Sequence, residues 1–311
     1  MSPRALWLVA LLPLAFAGHE YALFLCTMAV IHGLLAVSLD VVVGSVGLIS
    51  LGHAALVGVG AYVSAGARLG LGLPWLAALG AAGAAGALAV LVLGLLALRI
   101  RGHYFVLVSL GFGEIVRLVL LNWKAVTRGT DGVIGIPPPS LGPLVVTSKL
   151  GIYVLGLVLL AAGVGLTARL RRSALGRAFV TLRADELAAR ASGVSPALVK
   201  LSALGWSGAL AGLAGCLYAH FYTFISPEVF TVDVSVTLLL MVIVGGTETR
   251  TGPLVGAVLL TFLPEWLRPF RQYYMIVYGA AVVLVMVFVP GGIVGTLGRA
   301  RLRTPASVTA A

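Results

Sequence analysis

The sequence predicts an all-α polytopic membrane protein of about ten transmembrane or partly re-entrant helices, and three observations carry the prediction. Of its 311 residues 60% are hydrophobic and only 10% charged, with a mean hydropathy of +1.10, which excludes a pair of soluble domains. Apolar runs at 73–98, 150–168 and 273–289 approach or exceed the ~20 residues a helix needs to cross ~30 Å of hydrocarbon. A membrane barrel would show alternating segments of ~10 residues, and the sequence has none.

The first run, MSPRALWLVALLPLAFAG, imitates a secretory leader, but only ~2 residues separate it from the next run at Tyr21, which fits a retained hairpin of two spans better. The crossings then fall at 5–18, 21–43, 53–68, 74–98, 103–122, 149–168, 201–225, 234–246, 252–267 and 273–293, within one membrane domain over 1–311. Cys26 and Cys216 lie inside apolar runs and read as small buried hydrophobes, not as a disulfide or a metal site. A net charge of +11 would point to nucleic acid in a soluble protein; here the arginines are arranged for a lipid membrane and no nucleic acid is expected. Arg169, Arg171, Arg172, Arg177, Arg183, Arg190 and Lys200 crowd one interruption, and Arg299, Arg301 and Arg303 close the chain. Basic segments stay cytoplasmic, so the loop 169–200 and both termini are placed inside and the loop 123–149 outside. Fourteen Lys and Arg then fall inside and six outside, with Arg117 left within a span.

Two crossings, 234–246 and 252–267, are too short for ~30 Å of hydrocarbon and are separated by the polar TETRT. They are either short helices shielded by neighbours or a re-entrant pair lining a cavity. In 45–66, SVGLISLGHAALVGVGAYVSAG, the residues Ala54, Gly58, Tyr62 and Gly66 recur every four positions and set a small face for close helix packing. Gly44, Gly47 and Gly52 surround Ser45 and Ser50 just before that face, the composition of a break between two helices that borders a pathway.

Charges inside apolar runs are costly and tend to face the bundle interior, which singles out Asp40, Glu114 and Arg117. Glu114 and Arg117 stand at i, i+3 and read as a structural ion pair. His53 reads either as a gate or as an interhelical hydrogen-bond partner. The pathway candidates are Asp40, Ser45, Ser50, Gly52, His53 and Gly58. No ladder of carboxylates links the two faces, which argues against proton coupling. The sequence contains no HExxH, no CxxC and no GxxxxGK[ST], so no catalytic residue, metal or cofactor is assigned to this chain. If transport is driven, the energy comes from another subunit.

The interruption SALGRAFVTLRADELAARASGVSP, 173–196, is compatible with a helix that carries Leu175, Phe179, Leu182, Glu186 and Ala189 along one face. Held on the cytoplasmic side, it reads as a docking surface; the alternative is an interfacial helix drawn to anionic lipid by its arginines.

SLDVVVGSVGLISLGHAALVGVGAYVSA, RGHYFVLVSLGFGEIVRLVLLNW with TRGTDGVIGIP, LGRAFVTLRADELAARASGV, ISPEVF, MVIVGG, GPLVGA and VPGGIVG follow one another over nearly the whole chain. In these blocks the chain resembles the permease subunits of bacterial ABC importers for branched-chain amino acids, in particular the LivM-type branch. Its cytoplasmic block is similar to the looser EAA loop of such importers, with Leu187 in the place of the glutamate. The resemblance implies a permease that pairs with a related permease subunit as a heterodimer. Two cytoplasmic ATPase subunits, which carry ATP and Mg, and a periplasmic substrate-binding protein would complete the assembly in the inner membrane. It implies a coupling helix in the 169–200 loop, where Asp185, Glu186, Ala188, Ala189 and Gly193 would meet the ATPase. The sequence departs from the family at Asp40, commonly asparagine, and at Thr247 to Thr251, commonly a glycine-containing turn. The rival class is an ion-coupled secondary transporter of small polar solutes, with Asp40, Glu114 and Arg117 as its support; a passive channel is a second.

Overall fold

A computed structural model describes residues 20–97, 104–142, 144–247, 249, 251–267, 276, 279–280, 283–284 and 291–296. The expected first crossing, 5–18, most of the last, 273–293, and the basic tail lie outside the described residues. The membrane helices are α1 (Glu20–Val46), α2 (His53–Leu69), α3 (Trp75–Ala97) and α4 (Tyr104–Asn122). The 123–149 stretch follows, with α5 (Lys124–Thr127), β1 (Val133–Ile134), β2 (Ser140–Leu141) and β3 (Leu144–Val145). Next come α6 (Lys149–Arg172), the short pair α7 (Ala174–Ala184) and α8 (Glu186–Ala191), α9 (Pro196–Tyr222), β4 (Phe224–Ile225), α10 (Val232–Gly245) and α11 (Gly252–Trp266). Among the described residues α1, α3, α4, α6 and α9 are long and apolar enough to cross a membrane.

Helix α1 is the central post and packs against α6, α9, α10 and α11. The apolar core runs along it, from Cys26 and Val30 through Leu34 and Leu39 to Val42. Helices α10 and α11 have 14 and 15 residues, so each reaches only ~21 to ~22 Å at 1.5 Å per residue. They pack against each other and against α1, so protein covers their backbones. The turn between them is closed by Thr249, whose Oγ1 donates to Gly246 O and accepts from Gly252 N, both at 2.9 Å. A threonine hydroxyl thus does what a glycine-containing turn does by backbone freedom.

Helices α2, α3 and α9 touch backbone to backbone at small residues, as helices without a hydrophobic drive between them must. The close approach lies elsewhere than the four-residue repeat of α2 predicts. Gly60 meets Gly212 of α9, and Gly212 in turn meets Ala82 of α3. Gly58 faces the side chains of Phe230 and Leu120, and Gly66 faces open space. A one-helix repeat shows which residues are small but not which way the helix is rotated.

The 173–196 segment is not the single helix read from its periodicity. Asp185 takes an extended conformation (φ −158, ψ 120), ends α7 and starts α8. Its carboxylate accepts from Leu187 N at 2.7 Å and Ala188 N at 3.1 Å, a cap that competes with helix continuation. Phe179, Leu182 and Ala189 still come together, with Val41, Val46, Val199 and Ala203, because the bend folds the two helices over the inner end of α1. On the opposite side of the molecule β1 pairs antiparallel with β4, and His220 Nδ1 donates to Pro137 O at 2.7 Å, tying the 123–149 loop to the end of α9.

Candidate functional site at the break between α1 and α2

Between Val46 and His53 the chain leaves helical geometry, with Gly47 at φ +80, and turns back into the bundle before α2 begins. The depth of the restart follows from its partners. Ser38 lies eight residues before the end of α1, Ser207 eleven residues into α9 and Ser235 ten residues before the end of α10. At 1.5 Å per residue these are ~12 to ~16 Å from the inner helix ends, about halfway through ~30 Å of hydrocarbon. Helix α2 therefore starts inside the bundle, away from the helix ends, where backbone donors need protein partners.

Hydroxyl groups from two helices, α4 and α10, supply them, and two more from α1 and α9 hold the His53 side chain. Leu51 N donates to Ser109 Oγ at 2.9 Å and Ala54 N to Ser235 Oγ at 3.0 Å. Ser38 Oγ and Ser207 Oγ donate to each other's carbonyl oxygens at 2.7 Å, stitching α1 to α9. That commits the Ser207 proton, so His53 Nε2 donates to Ser207 Oγ at 2.8 Å. His53 Nδ1 is left as the acceptor for Ser50 Oγ at 3.4 Å. The cluster contains no ionised pair: it holds the break with neutral, exchangeable hydrogen bonds, which can be remade as helices shift.

Of the pathway candidates, the structure brings Ser50, Gly52 and His53 into this cluster, and Gly52 packs against the Ser109 carbonyl. Gly58 lies one turn further along α2. Asp40 and Ser45 are on the side of the break that faces α6 and α7, where Arg171 donates to Asp40 Oδ2 at 2.5 Å and Arg183 to Gly44 O. Arg117 Nε donates to Glu114 Oε2 at 3.0 Å in the i, i+3 pair, away from the break. Sequence reading missed Ser38, Ser109, Ser207 and Ser235. They are scattered through apolar helices with no shared local pattern, and only the helix packing brings them together. Among the described residues no group of three or more His, Cys, Asp or Glu could hold a metal.

Ser207→Ala removes the acceptor of His53 and one stitch to α1. An unsatisfied buried donor costs ~1 to 3 kcal/mol, so the purified protein is expected to melt earlier by a corresponding amount. An unchanged melting curve would show that the cluster does not hold the break.

The candidates for ATPase coupling have local duties. Asp185 caps α8; Glu186 accepts from Arg190 at 2.7 Å and from Lys200 at 3.0 Å. Gly193, at φ +78, closes α8, with Val194 N bonding Ala189 O and Gly193 N bonding Arg190 O, a turn that needs the left-handed backbone glycine tolerates. Ala189 is fully buried, so in this conformation it faces the chain and not a partner. Ala188 is exposed, and beside it Leu187 is 75% exposed. The hydrogen bond from Lys200, with help from Arg190, holds the Glu186 carboxyl below the usual range. A depressed carboxyl contributes stability above its ordinary pKa, and that contribution is lost as pH falls through the lowered value. Amide exchange in 189–194, normalised to intrinsic rates, is expected to lose protection on acidification, and Glu186→Gln to show the reduced protection at neutral pH.

The profile of the family described as "Branched-chain amino acid transport system / permease component" matches residues 21–287. The chain is 37% identical to the high-affinity branched-chain amino acid transport system permease protein LivM of Escherichia coli, over 93% of this chain and 75% of that protein. It is 36% identical to LivM of Salmonella typhimurium over the same shares. The ribose import permease protein RbsC of Escherichia coli is 29% identical over 58% of this chain and 52% of that protein. No solved structure matches significantly.

Proposed function

The chain belongs to the family of branched-chain amino acid transport permease components, and from that premise we propose that it moves branched-chain or related amino acids inward as one permease of an ATP-driven importer. It is a multi-pass inner-membrane protein and a transporter subunit, not an enzyme, and it works with other transporter components. The proposed assembly adds a related permease subunit, two cytoplasmic ATPase subunits that bind ATP and Mg, and an external substrate-binding protein. In it the 169–200 loop faces the ATPases, the 123–149 loop faces the binding protein and both termini are cytoplasmic.

The observation that carries this reading is the continuity between the cytoplasmic pair and the break. Phe179, Leu182 and Ala189 pack on Val41 and Val46 at the inner end of α1, and the same helix carries Ser38, which is stitched to the break through Ser207. A displacement of α7 and α8 is therefore felt by α1 and, two turns further on, by the hydroxyl cluster. ATP binding to the partner ATPases favours one position of this lever, and access alternates because the two positions differ in affinity for the ATP-bound partner. Asp40 is paired with Arg171 and Glu114 with Arg117, which weighs against these two carboxylates as the ion-coupling groups of a secondary carrier.

The test is uptake into vesicles. Concentrative uptake of leucine, isoleucine or valine is expected only with all subunits, ATP on the cytoplasmic side and loaded binding protein on the other. Uptake by this chain alone under an ion gradient would overturn the reading. Labelling from outside whole cells is expected to modify a cysteine placed at Ser140 and to spare one at Ser173, and the reverse would invert the topology.

A further inference from the structure

Of the five long spans among the described residues α4 is the least covered: 22% of its apolar stretch is buried, against 39 to 72% in the other four. It packs mainly on α2, α3 and the turn Pro227–Val229. Its open face runs through Tyr104, Leu107, Gly111, Glu114 and Leu118, three or four residues apart. Tyr104, Leu107 and Leu118 are exposed, and a side chain at Gly111 would meet nothing within 4 Å. Apolar residues on such a face suit lipid. The ion pair among them does not.

Glu114 lies ten residues from the start of α4 and eight from its end, ~15 and ~12 Å at 1.5 Å per residue. Its side chain is 39% exposed and that of Arg117 is 23% exposed. Arg117 is ~8 Å from the nearer helix end, close enough for a long side chain to reach water at the membrane surface. It turns the other way. Nε donates to Glu114 Oε2 at 3.0 Å and Nη2 to Oε1 at 2.5 Å, so both charges are held away from the helix ends. The remaining guanidinium nitrogen, Nη1, bonds nothing among the described residues. Glu228, on the neighbouring turn, attracts Arg117 from beyond bonding distance.

Hydrocarbon cannot complete the shell of a half-open ion pair with an unmet donor, so protein or a water-filled passage has to cover it. The two crossings outside the described residues join the molecule elsewhere. The 5–18 run ends two residues before Glu20 at the start of α1, and Gly291 and Gly292 lie against Gly246 in the turn between α10 and α11. Among the proposed components the ATPases and the binding protein stay outside the membrane, which leaves the related permease. We propose that the open face of α4 is the seam with the related permease subunit, and that this partner supplies a hydrogen-bond acceptor to Arg117 Nη1. Gly111 lets the partner helix come close, and Leu107 and Leu118 flank the contact. An apolar stripe alone permits many registers of one helix on another; a donor that has to find its acceptor selects one. The proposal rests on the importer reading and names the surface through which its two permeases pair.

The experiment uses the complete complex assembled from its defined subunits. The photoreactive residue p-benzoylphenylalanine replaces Leu107 or Leu118, and as a control Val158, an exposed residue of α6. Illumination is expected to join this chain to the related permease from Leu107 and Leu118 and not from Val158, with mass spectrometry of the peptides identifying both partners. Gly111→Cys is expected to resist a membrane-impermeant maleimide in the complex, as a dry contact does. Glu114→Leu combined with Arg117→Leu, which removes both charges together, is expected to weaken association with the second permease about tenfold, within the range of interhelical polar contacts.

Adducts with a second copy of this chain, with lipid alone, or with residues 5–18 or 273–293 of the same chain would give the face another occupant and overturn the proposal. Equal capture from Val158 would overturn it too. Labelling of Gly111→Cys would make the face the wall of a water-filled passage. Unchanged association per molecule in the charge-free variant would remove Arg117 from the seam. A complex that imports branched-chain amino acids without the Leu107 and Leu118 adducts would overturn the seam and leave the transport reading standing. One that forms the adducts and imports none would keep the seam and overturn the transport reading.

Discussion

Gly212→Val is expected to remove most of the folded protein from the membrane. Gly212 sits where three helices cross with their backbones in contact: a side chain there collides with the Ala82 carbonyl of α3, and the Gly212 backbone already bears on Gly60 of α2. Backbone carbonyls cannot rotate aside as a side chain can, so α3 and α9 must separate along their shared face. Ordinary overpacking costs ~1 to 3 kcal/mol; a clash with main chain at a three-helix crossing belongs at or above the top of that range. The control is Gly66→Val, because a side chain at Gly66 meets nothing within 4 Å. Yield of monodisperse protein and its melting temperature are the measurements. A Gly212→Val protein that accumulates and melts like Gly66→Val would show that α2, α3 and α9 do not cross as described.

That contrast marks how far the sequence can be read. Hydropathy placed the helices closely: 53–68 was expected and His53–Leu69 is found, 103–122 was expected and Tyr104–Asn122 is found. Burial in lipid is a property of each segment by itself, so composition is enough to see it. Which glycine touches which carbonyl depends on the rotation and crossing of two helices, and Gly58, Gly60 and Gly66 look alike in a one-dimensional pattern. The same limit applied to the polar site. His53, Ser50 and Gly52 were legible because they cluster within four residues. Ser38, Ser109, Ser207 and Ser235 were not, because they come from four separate helices and meet only at one depth.

The cytoplasmic segment failed to be read for a different reason. Its apolar spacing was right, and Phe179, Leu182 and Ala189 do share one core. Asp185 nevertheless splits it, since a carboxylate that can bond two amide groups two and three residues ahead offers the chain a cap where the periodicity offers only continuation. Counting apolar positions sees the face and misses the cap.

With roles reassigned in this way, Leu187 becomes the residue whose change should most cleanly separate the permease from the proposed ATPase partner. Bulky residues at Ala189 or Gly193 are poor probes. Ala189 is sealed in the core and Gly193 holds a left-handed turn, so tryptophan at either would disturb α8 itself. Leu187 is 75% exposed, and the features that fix α8, the Asp185 cap, the Glu186 pairs and the Gly193 turn, do not use its side chain. A large apolar side chain left open beside Ala188 on a short, well-capped helix has the form of an anchor for a partner's pocket. Leu187→Asp keeps the helix and places a charge in that pocket. A lost anchor of ~2 kcal/mol or more corresponds to a roughly 30-fold weaker association, so co-purification of the ATPase subunits should largely disappear. Substrate-stimulated ATP turnover should fall with it, while insertion and thermal stability of the permease stay as they were. If Leu187→Asp retained both the ATPase subunits and the stimulated turnover, the 173–196 segment would face lipid headgroups, and its arginines, Arg177, Arg183 and Arg190, not Leu187, would account for its position at the membrane surface.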